Sequence, residues 1–258
     1  MKIISLSNQK GGCAKTTTAQ ALASGLARRG RSVLAIDADP QCNFSFGLGV
    51  ADPEEGRTLH EVLQGKVSID DCIIPVLTGF DILPGSIILT GADMEFITRT
   101  HREYMLQEAL RGLQRQYDYC IIDSPPSLGI LTMNILTASD GVIVPVDCGA
   151  YSVQGLSQLV GFIQNVRQYC NPGLKITGIL LTKYRSGRIV SRQIREGLLP
   201  VAEQLQTELF DTTIRDAAAI GKAQFMQQDI FSAFPKEDVT ADYLRFIDEF
   251  LDKTEGRG

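Results

Sequence analysis

The sequence has no tryptophan, and aromatic residues make up only 7% of its 258 positions. An aromatic-lined groove for a sugar or for single-stranded nucleic acid is therefore a poor expectation. Six cysteines stand singly at 13, 42, 72, 120, 148 and 170, with no C-x-x-C pair. That spacing argues against a zinc site and against a secreted disulfide scaffold, and it fits a reducing cytoplasm. Repeats, low-complexity segments and linkers are lacking too. The opening MKIISLSNQKGG reaches a glycine pair after an apolar run too short for a signal peptide. The longest uncharged stretch, Cys148 to Val166, is interrupted by Gln154, Gln158, Gln164 and Asn165. It predicts a buried helix and no membrane span.

What is present is ordinary for a folded protein: 44% hydrophobic residues, 21% charged residues and a net charge of −5. Disorder, collagen and coiled coil are excluded on composition. The length is near the upper limit for one hydrophobic core, so a single domain over 1–258 is expected. Apolar runs at Lys2–Ser7, Ser32–Asp37, Asp118–Asp123, Gly141–Val146 and Ile176–Thr182 read as strands. Helical spacing recurs after Lys15 and near Leu106–Gln114, Ile130–Thr137, Val153–Tyr169 and Ile189–Gln206. This alternation predicts an α/β fold, a mostly parallel twisted sheet with helices on both faces. Leu48 to Gly91, rich in Gly, Pro and Asp, reads as peripheral decoration.

The most informative run is Lys10-Gly11-Gly12-Cys13-Ala14-Lys15-Thr16-Thr17, between the first strand and the first helix. Glycines let backbone N–H groups face phosphate oxygens, and a helix N-terminus adds positive potential. In a P-loop of this kind Lys15 would neutralise the nucleotide's outer phosphates and Thr16 would hold Mg²⁺. The usual pattern has a second glycine where this chain has Ala14. A glycine-rich turn joining strand to helix is the plainer alternative. The second strand closes on Asp37-Ala38-Asp39-Pro40-Gln41, and the third on Asp123 followed by SPPS. Apolar residues ending in Asp123 form a Walker B arrangement, whose carboxylate meets Mg²⁺, often through water. Asp37 and Asp39 could instead cap the turn before Pro40.

With its extra Lys10, the loop resembles the deviant Walker A family, K-G-G-x-x-K-S/T. That family includes the ParA/Soj partition ATPases, MinD and nitrogenase iron protein. DADPQ, IIDSPPS and TASDGVIVPVDCGAYSVQGLSQL resemble the ParA type in particular, and with LLTKYR near 180 the likeness covers nearly the whole chain. The resemblance implies ATP and Mg²⁺ as ligands, a nucleotide-sandwich homodimer in which Lys10 reaches the partner's phosphates, and Asp39 positioning the attacking water. It also implies a ParB-like centromere-binding partner that stimulates slow hydrolysis. Thr213-Ile214-Arg215-Asp216 stands where the family has a Pro-Arg-Asn-like segment near adenine, and no base contacts are assigned to it.

Residues 183 to 195 hold Lys183, Arg185, Arg188, Arg192 and Arg195 and no acid, on a protein of net charge −5. The arginine spacing of three, four and three would align Arg185, Arg188, Arg192 and Arg195 on one helix face. A stripe of this kind suits non-specific contacts to the backbone of double-stranded DNA, and a solvated helix face is the alternative. No helix-turn-helix extension is expected before the loop. The amphipathic tail Asp242–Asp252 carries Asp242, Asp248, Glu249 and Asp252 against Arg245 on its polar face. Anionic lipid would repel it, so it reads as a helix docked on the core of a cytoplasmic, nucleoid-associated protein with no membrane partner. The expected function is an ATP-dependent DNA-binding switch for partition. Positioning of protein cargo on the nucleoid is one alternative, and a metabolic P-loop ligase or kinase is another.

Overall fold

The computed structural model describes residues 1–50, 57–149, 152, 156–185, 187 and 189–256. Its centre is a seven-stranded sheet in the order β3-β4-β2-β5-β1-β6-β7. The strands are β1 (Lys2–Leu6), β2 (Val33–Asp37), β3 (Ile74–Pro75), β4 (Asp81–Leu83), β5 (Tyr119–Asp123), β6 (Gly141–Asp147) and β7 (Lys175–Thr182). β3 runs antiparallel to β4, and the other named strands pair in parallel. β2 and β5 are buried at every position, which is why both read as continuous apolar runs.

One face of the sheet is covered by α1 (Lys15–Arg28), the short α2 (Asn43–Phe46), α10 (Ala218–Phe225), α11 (Ile230–Ala233) and α12 (Asp238–Glu255). The other face carries α3 (Leu59–Gln64), α4 (Ile69–Cys72), α5 (Ala92–Phe96), α6 (Met105–Arg111) and α7 (Ile130–Ala138). A third apolar cluster joins β6 and β7 to α8 (Leu156–Tyr169) and α9 (Ile189–Gln204). The expected α/β fold with helices on both faces is the one observed.

Three expectations need correction. The segment after Leu48 is not peripheral, since β4 enters the main sheet beside β2 with Ile82 and Leu83 fully buried. Three residues are too few to show a period. Residues 51–56 of that segment lie outside the described residues. From Leu156 onward the uncharged stretch forms an amphipathic helix rather than a wholly buried one, and residues 150, 151 and 153–155 lie outside the described residues. Leu156, Leu159, Val160, Ile163 and Val166 of α8 face the core, whereas Gln158 and Gln164 are exposed. The tail helix does dock, laying Val239, Tyr243, Phe246, Ile247 and Phe250 of α12 along the core. A Cβ on Gly25 of α1 would overlap the Ile247 side chain, so this mid-helix glycine is explained by close helix approach. Asp242, expected on the polar face, is instead buried.

Because β1, β2, β5, β6 and β7 run parallel, their C-terminal ends meet at one edge of the sheet. The chain extends from β1 towards β2 on one side and β6 on the other, so the loop after β1 sits where the strand order reverses. Open α/β sheets bind their ligands at such a switch point.

Candidate functional site

Asn8 ties the loop after β1 to β6. Its side-chain amide donates to the Pro145 carbonyl at 2.7 Å, and its Oδ1 accepts the Lys10 N–H at 3.1 Å. Gly12 has φ 73 and Ala14 φ 65, both left-handed. The usual second glycine is thus explained by backbone geometry, and Ala14 adopts the same turn at a cost of about 1 kcal/mol or more. The next residue, Lys15, begins α1, whose first turn has neither a side-chain cap nor an acidic residue. The free N–H groups of that turn suit an anion. Lys15 is buried, with Nζ 3.4 Å from the Lys10 carbonyl oxygen. Cys13 is also buried, which raises its thiol pKa, and its carbonyl accepts the Thr182 hydroxyl at 3.0 Å.

Asp37 and Asp123 are direct register partners at the ends of β2 and β5. One oxygen of Asp37 accepts the backbone N–H of Ser45 at 2.8 Å and its hydroxyl at 2.7 Å, so this carboxylate anchors the turn into α2. Burial nevertheless pushes Asp37 up to about 6. Burial, and then the neighbouring Asp37, drive Asp123 well above the usual carboxylate range. Thr16 Oγ1 donates to Asp123 Oδ2 at 2.6 Å, while Asp123 Oδ1 is buried with no hydrogen-bond partner among the described residues. A hydroxyl beside an orphaned carboxylate oxygen fits a hard divalent cation or a water bound to it.

Asp39 accepts the Gln41 N–H at 2.9 Å, so it does cap the turn before Pro40. Its side chain also lines a cleft of about 700 Å³ with Gly11, Gly12, Lys15 and Thr16. The far wall of that cleft includes Thr182, Lys183, Ile214, Arg215 and Gln224. The Thr213–Asp216 segment therefore reaches the cleft. The Arg215 guanidinium, however, turns to the buried Asp242 at 2.7 Å and to Asp238.

The structure brings Lys10, Lys15, Thr16, Asp39 and Asp123 to one edge of the sheet. Sequence reasoning missed the residues that hold Lys10. Its Nζ is 2.6 and 2.9 Å from the two oxygens of Asp147 and 3.1 Å from the Ser152 hydroxyl. Burial raises Asp147, but hydrogen bonds from Lys10 and Ser152 and the charges of Lys10 and Lys183 outweigh it. The carboxyl is held below its ordinary value. A strand-end acid one position past the apolar run Gly141–Val146 was the available signal.

The arginine stripe is only partly formed. Arg185 precedes α9 and is not on its face, because Tyr184 is bridged to Arg215 and its N–H donates to the Ile214 carbonyl. Arg185 pairs with Asp216, and Arg195 lies 3.7 Å from Asp211. Arg192 is exposed on α9 and forms no ion pair among the described residues. Arg188 lies outside the described residues. Among those described, no helix is long and apolar enough to cross a membrane.

Residues 1–176 match a family model described as an AAA domain. The chain is 44% identical over 196 residues to the chromosome partitioning protein ParA of Myxococcus xanthus, covering 76% of this chain and 69% of that protein. It is 36% identical to the sporulation initiation inhibitor protein Soj of Bacillus subtilis, covering 96% and 97% of the two chains. Among solved structures, cobyrinic acid a,c-diamide synthase from Mycobacterium smegmatis with bound ADP and magnesium superposes with a TM-score of 0.85. It is 35% identical, with coverage of 100% and 97%.

Proposed function

The chain belongs to the ParA/MinD-type family of P-loop ATPases, and on that basis we propose that it is a partition switch of the ParA/Soj kind. In this reading it dimerises with ATP, binds double-stranded DNA without sequence preference and hydrolyses ATP slowly to partition a plasmid, integrative element or chromosome. A ParB-like protein stimulates turnover. The protein acts in the cytoplasm on the nucleoid, and residues 1–258 act as one ATPase domain. The observation that carries the reading is the convergence of the phosphate loop, Asp39 and Asp123 at one sheet edge, with a second loop lysine, Lys10, at its rim.

Phosphoryl transfer to water needs positioning and charge more than covalent help. The N–H groups of Gly11 to Thr17 and the Lys15 ammonium bind the phosphates. Thr16 and Asp123 would hold Mg²⁺, Asp123 through a water, and the ion would neutralise negative charge on the phosphates. Asp39 orients the attacking water. Lys10 leaves Asp147 and serves the phosphates of the second copy.

The likeness to cobyrinic acid a,c-diamide synthase supports a second reading, an ATP-dependent enzyme acting on a small acid. Retention on random-sequence duplex DNA, measured with ATP–Mg²⁺, with ADP and without nucleotide at stepped salt, separates the two. The switch predicts retention with ATP that falls steeply as salt rises. Absence of retention in every state, with ATP turnover raised by cobyrinic acid, would replace it with the second reading.

A further inference from the structure

Both lysines of the phosphate loop are committed in this conformation. Lys10 is paired with Asp147, and Lys15 turns its Nζ towards the Lys10 carbonyl. A third lysine approaches the same loop from across the cleft. Lys183 directly follows β7, and its backbone is left-handed, with φ 51. The residues on either side fix it. Thr182 bonds the Cys13 carbonyl of the loop at 3.0 Å, and the Tyr184 N–H bonds the Ile214 carbonyl at 2.9 Å.

Between these anchors the Lys183 side chain turns back over the sheet edge rather than out along α9. Its Nζ lies 4.0 Å from where a Cβ on Gly12 would stand, and Lys183 lines the cleft with Gly11, Gly12 and Lys15. Lys183 has no hydrogen-bond or ion-pair partner among the described residues. An ammonium held by a left-handed turn beside the phosphate loop, with no ion-pair partner among the described residues, is placed for an anion.

We propose that Lys183 is a third phosphate-binding lysine, acting on the nucleotide of its own protomer and not on the DNA-facing surface with which its sequence neighbours group it. The proposal rests on the P-loop reading. In that reading each nucleotide meets Lys15 of its own protomer and Lys10 of the second copy. Lys183 supplies the second cation from the same chain.

The test is equilibrium binding of fluorescent ADP and a non-hydrolysable ATP analogue, with Mg²⁺, to the wild type, K183M, K183R and K15A. Thermal unfolding without nucleotide checks that each variant folds. K183M should weaken both nucleotides about tenfold, the size of one charge-assisted contact. K183R should recover most of the loss, and the salt dependence of nucleotide binding should flatten in K183M. Wild-type nucleotide affinity in K183M, with a salt slope for DNA reduced by about one, would place Lys183 on the DNA surface and overturn the proposal. If K15A also binds nucleotide normally, the P-loop reading fails; if K15A abolishes binding and K183M does not weaken it, the Lys183 assignment alone fails.

Discussion

Lys10 and Asp147 form a two-pronged ion pair within one protomer, with Lys10 Nζ 2.6 and 2.9 Å from the two carboxylate oxygens. The side chains are 35% and 14% exposed, so the pair is worth no more than about 1 kcal/mol. That is strong enough to hold the lysine and weak enough to be exchanged for a phosphate. A dimer that uses Lys10 from each copy must break two such pairs. Asp147→Asn should therefore favour ATP-dependent dimerisation by up to about 2 kcal/mol, roughly 30-fold in the association constant. Sedimentation with a non-hydrolysable ATP analogue reads this directly. A dimer no tighter than the wild type's would show that Lys10 stays with Asp147 after assembly.

Ala14 sits at φ 65, where an L-residue costs about 1–2 kcal/mol and glycine costs nothing sterically. Glycine loses about 0.4–1 kcal/mol through the greater freedom of the unfolded chain. Ala14→Gly should thus stabilise the protein by about 0.5–1 kcal/mol, read as a higher urea midpoint at unchanged slope. Ala14→Val, which is β-branched, should lower the midpoint. A destabilised glycine variant would mean that the loop does not hold this conformation in solution.

The buried acids predict an unusual pH dependence. Burial raises Asp37 to about 6 from an ordinary 3.8, so the folded state binds more protons than the unfolded state between those values. Stability from this group is full below about 3.8 and falls as pH rises through about 6, a loss of about 3 kcal/mol. Asp37→Asn removes the titration while keeping an oxygen for Ser45. Its stability relative to wild type should rise with pH across that window and level off above it. Thermal midpoints at pH 4 to 8 without nucleotide measure the difference. A pH-independent difference would mean that Asp37 titrates as an ordinary carboxyl. Mg²⁺–nucleotide should reverse the penalty in the wild type, because a cation near Asp123 favours the ionised forms.

Asp39 is the residue whose turn-capping and chemical roles can be separated by measurement. As a cap it bonds one N–H, that of Gln41, so Asp39→Ala should cost about 1 kcal/mol of stability. As the group that orients water, its loss should cut ATP turnover about 100-fold or more while ATP still binds. The ATP dimer should then persist on a sizing column after the wild-type dimer has dissociated. Turnover within twofold of wild type would leave Asp39 as a turn residue.

Much of the site was legible because a parallel sheet converts chain order into position. A strand that ends in Asp123 or Asp37 delivers that carboxylate to the same edge as the loop after β1, so motif and location come together. β4 was not legible, since three buried residues after a Gly- and Pro-rich stretch carry no period. The contact of Ser152 with Lys10 and the turn of Lys183 towards the phosphate loop were missed for another reason. Both depend on loops from β6 and β7 folding back towards Lys10 and Gly12, and no sequence spacing encodes that approach. The buried Asp242 is a similar case. The pattern of α12 placed it on the polar face, and Arg215, arriving from a distant loop, joins Arg245 of the same helix in making its burial tolerable.

The basic segment gives the last prediction, because the structure divides arginines that the sequence treats alike. Arg192 is exposed on α9 with no ion pair among the described residues, whereas Arg185 is engaged with Asp216 and Arg195 with Asp211. A phosphate contact by Arg192 releases counterions at no internal cost, but Arg185 must first leave its carboxylate. Arg192→Ala should lower the slope of log affinity against log salt for random duplex DNA by about one, and Arg185→Ala by less. Asp216→Asn should raise DNA affinity by freeing Arg185. The measurement is fluorescence anisotropy with ATP–Mg²⁺ from low to moderate salt. If all three variants keep the wild-type slope and affinity, this segment is a solvated surface and DNA must be met elsewhere on the dimer.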